Sequence, residues 1–241
     1  MSTDSLLSKN SAEELPQELS FVTSAASNLR GTQDYLVFFL TGNPGLISYY
    51  EPFLSRLKEA LEPSSSRKAR FHIYGHSYKG FELSPVAGNL DYPSGLDSQV
   101  KYQEEWLMRR VKYHQRDGGP TLKVILVGHS VGSYVLLELI QRHLDTMQAH
   151  PEVEDFDLIG GILLFPTIAD IGESPVGKVA RLVLPLPGFA RVVGAIAHTI
   201  VYILGLNALQ KIVRYITRFP DYAVKATLAL LKSPMGVRQA L

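Results

Sequence analysis

The stretch Val124-Ile-Leu-Val-Gly-His-Ser-Val-Gly-Ser-Tyr-Val-Leu-Leu-Glu-Leu-Ile140 decides the fold. Its first four residues form an apolar run, its middle is a serine flanked by glycines, and its end has helical spacing. Gly128-His-Ser-Val-Gly132 satisfies G-x-S-x-G, a pattern that is weak alone and stronger between a strand and a helix. A backbone that turns sharply at Ser130 leaves no room for side chains two residues before or after it, which accounts for Gly128 and Gly132. Such a turn exposes the serine oxygen and aims the next amide, Val131, at a developing oxyanion. The competing reading makes Ser130 an ordinary helix N-cap.

Working outward, Tyr35–Leu40 (YLVFFL) reads as a strand buried on both faces. Thr41-Gly-Asn-Pro-Gly45 follows as a turn, placed where a second oxyanion donor is needed. Pro44 has no N–H, so the Asn43 amide is the candidate and Gly42 allows close approach. Asn-Pro-Gly is equally an ordinary turn sequence. Apolar positions Phe53, Leu54, Leu57 and Leu61 predict a helix ended by Pro63-Ser-Ser-Ser66. Further strands are expected at Arg70–Tyr74, Leu122–Val127 and Leu158–Phe165. Helices are expected at Leu96 to about His114 and Ser130 to about His150. The alternation predicts an α/β protein with a mostly parallel sheet and helices on both faces.

Gly75-His-Ser-Tyr-Lys-Gly80 repeats Gly-His-Ser, but Lys79 stands where an elbow requires a small residue, so Gly75–Ser94 reads as loop. A substrate-lining role for His76 stays open. His129 is expected to pack beside the site rather than act as base.

The chain has 241 residues and 46% hydrophobic content, enough for one sizeable core. It has no cysteine, which excludes disulfides and thiolate chemistry. Residues 1–30 read as a mobile tail without the apolar region of a secretory signal. Residues 31–170 read as the core, and 171–241 as a helical region at a lipid interface. From Ser174 to Leu241 the net charge is +8, against −7 for the rest, so a basic, apolar third is joined to an acidic front. Its Leu, Val and Ile content favours an anionic lipid surface over nucleic acid. Leu182–Leu206 is long enough to span a bilayer, but Pro185, Pro187, Gly188, Arg191 and His198 interrupt it, which favours helices lying at the interface. No metal cluster, phosphate loop or dinucleotide signature is present in the sequence, so no cofactor is implied.

Three blocks, FFLTGNPGLISYYEPFL, GHSVGSYV and LLFPTIADIGESPVGK, together resemble the lipid droplet-associated serine hydrolases, an α/β-hydrolase family. The resemblance covers roughly residues 35 to 185. It implies a serine esterase at lipid droplets and the endoplasmic reticulum membrane, on the cytoplasmic face, acting in neutral-lipid or sterol-ester turnover, with Ser130 as nucleophile. It also implies an acid after a later strand and a histidine after the last strand, both beyond the cap region. The residues here end at Leu241 in helical, cap-like sequence, so a truncated chain lacking the acid and histidine is expected. Without a triad member the rate falls by about 10⁴–10⁶, leaving this chain nearly inactive. Asp170 is the internal candidate acid. His198, His143 and His150 are weaker candidates for base. A lipid-surface binding protein without chemistry, or acyl transfer and thioester hydrolysis at the same elbow, are the alternatives.

Overall fold

The centre of the sheet is the run Tyr35–Leu40, and its burial follows from having apolar side chains on both faces. In the computed structural model, which describes residues 15–24, 32–65, 68–81, 94–115, 120–150, 156–169, 173, 175–183, 186, 188–233 and 235–240, this run lies in strand β2 (Gln33–Leu40). Strands β3 (Ala69–His76) and β4 (Lys123–His129) flank it in parallel. Outside β4 runs β5 (Asp157–Leu164), also parallel. At the other edge β1 (Glu18–Val22) is antiparallel to β3, giving the order β1-β3-β2-β4-β5.

Alternation along β2 divides the core. Leu36, Phe38 and Leu40 face one side with Tyr74, Val124 and Leu126. Against them pack Val100, Leu107 and Val111 of α2 (Leu96–His114) and Val135, Leu136 and Leu139 of α3 (Val131–Ala149). Val37 and Phe39 face the other side with Ile73 and Val127, covered by Leu54 and Leu57 of α1 (Glu51–Ser65). The run Tyr35–Leu40, apolar at every position of a period-two strand, thus carries helices on both faces. The expected mixed, mostly parallel α/β architecture is the one formed.

Three local expectations need correction. Glu18–Val22, placed within an N-terminal tail by composition, is an edge strand whose Leu19 is buried against Ile73 and Leu54. The pairing partners are fifty or more residues away, so no local pattern announces them. Helix α1 continues through Pro63 to Ser65, preceded by a 3-10 turn at Ile47–Tyr50. Strand β3 runs on through Gly75 to His76, into the stretch read as loop, and residues 82–93 of that stretch lie outside the described residues.

After β5 come helices α4 (Pro175–Val183), α5 (Phe189–Thr217), α6 (Asp221–Lys232) and α7 (Gly236–Ala240). Leu230 of α6 joins the main core, and Tyr49 of the 3-10 turn bonds Thr227 at 2.9 Å. Leu209 and Val213 of α5 pack on Val224 of α6. The N-terminal half of α5 leaves Val192, Ile196, Ile200 and Ile203 exposed, and its backbone departs from helical geometry at Gly205.

Candidate active site

The register of β2 against β4 sets Leu40 beside Gly128 at the carboxyl end of the sheet, where both strands end in tight turns. Ser130 joins β4 to α3 with φ 53° and ψ −121°, a left-handed conformation that a side chain adopts only under strain. The two glycines show why the turn is possible. A Cβ on Gly128 would lie 2.4 Å from the Gly132 carbonyl oxygen, and one on Gly132 would lie 2.4 Å from the Leu40 oxygen. The β2 and β4 turns therefore touch backbone to backbone.

Ser130 occupies the N-cap position of α3 but makes no side-chain capping bond. Its Oγ instead lies 3.1 Å from Thr167 Oγ1. The Ser130 amide donates to the Leu164 carbonyl at 2.9 Å, and the Thr167 amide donates to the Ser130 carbonyl at 3.2 Å. The loop after β5 thus fixes the serine through its backbone and hydroxyl together. That loop contains Phe165, at φ 46° and 85% exposed.

Val131 is the first residue of α3, and its amide is one of those a helix leaves without an intrahelical acceptor. Asn43 lies in the loop after β2, next to Gly42, whose added Cβ would sit 3.1 Å from Ser130 Cβ. Asn43 Nδ2 donates to the Ala240 carbonyl of α7 at 2.7 Å, which ties the loop to the C-terminal helices. Behind the loop, the Gly42 amide donates to Tyr50 Oη at 2.9 Å, and Tyr50 Oη lies 2.9 Å from His129 Nδ1. Burial lowers the pKa of His129 and raises that of Tyr50. His129 therefore packs beside the elbow, bonded away from Ser130.

Among the described residues no imidazole hydrogen-bonds Ser130 Oγ. His76 is buried, its Nδ1 2.6 Å from the Ser77 carbonyl and its ring stacked on Trp106 at 4.0 Å. His143 stacks on Phe156 and lines a cavity of about 180 Å³ with Arg142 and Met147, toward the far end of α3 from Ser130. His150 follows that helix. His198 lies on α5 with Nε2 enclosed and without a hydrogen-bond partner. Asp170 lies outside the described residues. No group of three or more His, Cys, Asp or Glu side chains placed to hold a metal occurs among the described residues.

Tyr50 and Thr167 were not picked out from sequence as site residues. Both fall inside the blocks that carry the family resemblance, which was the available signal, but their partners lie 79 and 37 residues away. The arrangement can present a hydroxyl at an open turn, with helix-end amides beside it and a hydroxyl partner on the opposite loop.

A family model described as lipid-droplet associated hydrolase matches residues 33–241. The chain is 31% identical over 158 residues to the lipid droplet-associated hydrolase of Mus musculus, covering 60% of this chain and 41% of that protein. It is 29% identical over 161 residues to the Homo sapiens protein of the same name, covering 62% and 42%. For the Dictyostelium discoideum protein the identity is 30% over 145 residues, covering 58% and 40%. The matched regions span about two fifths of these relatives' length. Among solved structures, a crystal structure of esterase B from Lactobacillus rhamnosis with a C4-C4 SN3 tributyrin phosphonate is similar at TM-score 0.40 and 15% identity, covering 70% of this chain and 55% of that one.

Proposed function

The chain belongs to the lipid-droplet associated hydrolase family, and from that membership we propose that Ser130 is the nucleophile of a carboxylic ester hydrolase working at a lipid surface. The observation that carries the proposal is the strained backbone of Ser130 at the strand-to-helix turn, with its hydroxyl turned away from capping. In the proposed reaction the Ser130 oxygen attacks an ester carbonyl, forming an acyl-enzyme and releasing the alcohol, and water then releases the acid. The Val131 and Asn43 amides stabilise the oxyanion. The substrates are esters of neutral lipid or sterol, and the setting is the cytoplasmic face of lipid droplets and the endoplasmic reticulum membrane.

Attack by a serine hydroxyl at neutral pH needs a proton acceptor, and the partner of Ser130 here is Thr167. A threonine hydroxyl is no base, so ester turnover by these 241 residues alone is slow. The exposed apolar half of α5 supports the lipid-surface part of the proposal, since Arg191–Thr217 is long enough to cross a membrane and contains an 18-residue stretch with a mean hydropathy of 1.9, of which only 11% is buried. The same two observations support a second reading, in which the chain binds a lipid surface without chemistry.

A fluorophosphonate probe applied to the chain and to Ser130→Ala separates the two. Slow labelling that Ser130→Ala abolishes is the expected outcome. Labelling as rapid as that of a complete serine esterase overturns the slow turnover, and equal signals from both proteins overturn the hydrolase reading in favour of surface binding.

A further inference from the structure

The phenol of Tyr50 joins the loop after β2 to the end of β4, just beyond the last paired residues of the two strands, Leu40 and Gly128. The Gly42 amide, in the loop after β2, donates to Tyr50 Oη at 2.9 Å. The same oxygen lies 2.9 Å from Nδ1 of His129, the residue before the serine. A phenol oxygen carries one proton. With Oη accepting from Gly42, that proton is free to go to His129 Nδ1, so all three groups are satisfied when His129 is neutral and protonated at Nε2. If Nδ1 carried the proton instead, Oη would accept twice and its own O–H would be left idle.

The phenol itself is held by its ring. Tyr50 packs on Phe39 of β2 at 4.8 Å, and the Tyr50 and His129 rings meet edge-on at 5.6 Å. Burial keeps Tyr50 protonated and His129 neutral, in agreement with this direction of donation. Gly42 is the residue that permits the close approach, since a Cβ there would lie 2.7 Å from His129 Nδ1. Because the Gly42 amide is engaged by Tyr50, it is withdrawn from the oxyanion cradle, and the Thr41–Gly42 peptide, next before the one that carries the Asn43 amide, is held in one orientation.

We propose that Tyr50, acting through His129, is a positioning residue that sets the spacing between the loop carrying Asn43 and the elbow carrying Ser130 and Val131. The consequence for the reaction rests on the hydrolase reading above; the brace itself does not. Rate and geometry are linked because a misplacement of about 1 Å at a reacting centre costs on the order of 10²-fold.

The test uses the full 241-residue chain in detergent micelles. Nitrogen-15 spectra of the wild type are expected to show His129 as the Nε2–H tautomer with a protected Gly42 amide. In Tyr50→Phe the Gly42 amide should exchange at least about tenfold faster and the His129 pKa should rise, while amides of Val37 and Ile125 stay protected. An Nδ1–H tautomer in the wild type, or unchanged Gly42 exchange in the variant, overturns the proposal. Ser130 phosphonylation should slow by roughly tenfold to hundredfold in Tyr50→Phe and His129→Ala. His129→Asn, whose Oδ1 replaces the lost acceptor, should stay within about threefold of the wild type. Wild-type rates in Tyr50→Phe sink the positioning role and leave the hydrolase reading standing. A wild type that never labels sinks the hydrolase reading, and the spectra then decide on the brace alone.

Discussion

Ser130 is the residue at which two demands meet. Its backbone must turn in a left-handed conformation, yet it must carry a side chain, and only the side chain is useful to chemistry. Glycine at this position relieves the strain, worth about 1–3 kcal/mol, against a loss of about 0.5–1 kcal/mol from its extra freedom in the unfolded chain. Ser130→Gly is therefore expected to be about 1 kcal/mol more stable than Ser130→Ala, measured by urea denaturation. Equal stabilities would mean that the turn is relaxed. The glycine-flanked serine is legible from sequence as a motif, and the Gly128 collision with the Gly132 carbonyl is a local consequence of the sharp bend, whereas the Gly132 collision is with the Leu40 oxygen of the neighbouring strand. The partner of the hydroxyl was not legible, because Thr167 arrives from the far side of β5.

Among the elements, α5 departs furthest from what a water-facing helix shows. Val192, Ile196, Ile200 and Ile203 recur at helical spacing and form one uncovered stripe, while Leu209 and Val213 beyond Gly205 are buried on α6. The helix is thus anchored at one end and apolar outward at the other, which fits a stripe seated in lipid. Each isoleucine transferred into an apolar phase contributes about 1.5–3 kcal/mol. Replacing Ile196 and Ile203 with Asp should lower flotation with lipid droplets by about 10²-fold or more, with far-UV circular dichroism unchanged, whereas Ser130→Ala should float as the wild type does. Undiminished flotation of the double variant would show that another surface carries the attachment. Strand β1 makes the opposite point: Leu19 is buried and Phe21 packs beside it on the same cluster, but so short a segment becomes a strand only because the β3 edge is there to pair with it.

At the scale of the whole molecule, the end of the sheet opposite Ser130 holds a cluster of ionisable groups. Asp34 accepts from Arg70 at both carboxylate oxygens and lies 3.1 Å from His72 Nε2. Burial opposes its charge, but the bonds from Arg70 and His72 outweigh it and hold the carboxyl below its ordinary pKa. The His114 ring lies against that of His72, centroids 4.0 Å apart and tilted by 34°; burial, with His72, Arg110 and Arg70, pushes His114 down to about 4 against the pull of Asp34. In the unfolded chain a histidine titrates near 6.5. Between pH 6.5 and 4 the unfolded state therefore binds the His114 proton and the folded state does not, so stability falls as pH falls through that window. Asp34 contributes stability above its unfolded pKa of about 3.8 and loses it at still lower pH. Urea midpoints should decline from pH 6.5 to 4, and His114→Gln should flatten that decline. An unchanged slope in the variant would remove His114 from the account.

By itself the sequence determined the central strands, the helices that alternate with them and the glycine-flanked serine between β4 and α3, because each is written in apolar spacing and turn residues within a few positions of one another. Only the tertiary structure decided what the serine hydroxyl meets, how Tyr50 bridges Gly42 and His129, and how Asn43 reaches Ala240 across 197 residues. The reason is that a hydrogen-bond partner is chosen by the packing of distant elements, whereas a strand or a tight turn is chosen mainly by the side chains it contains.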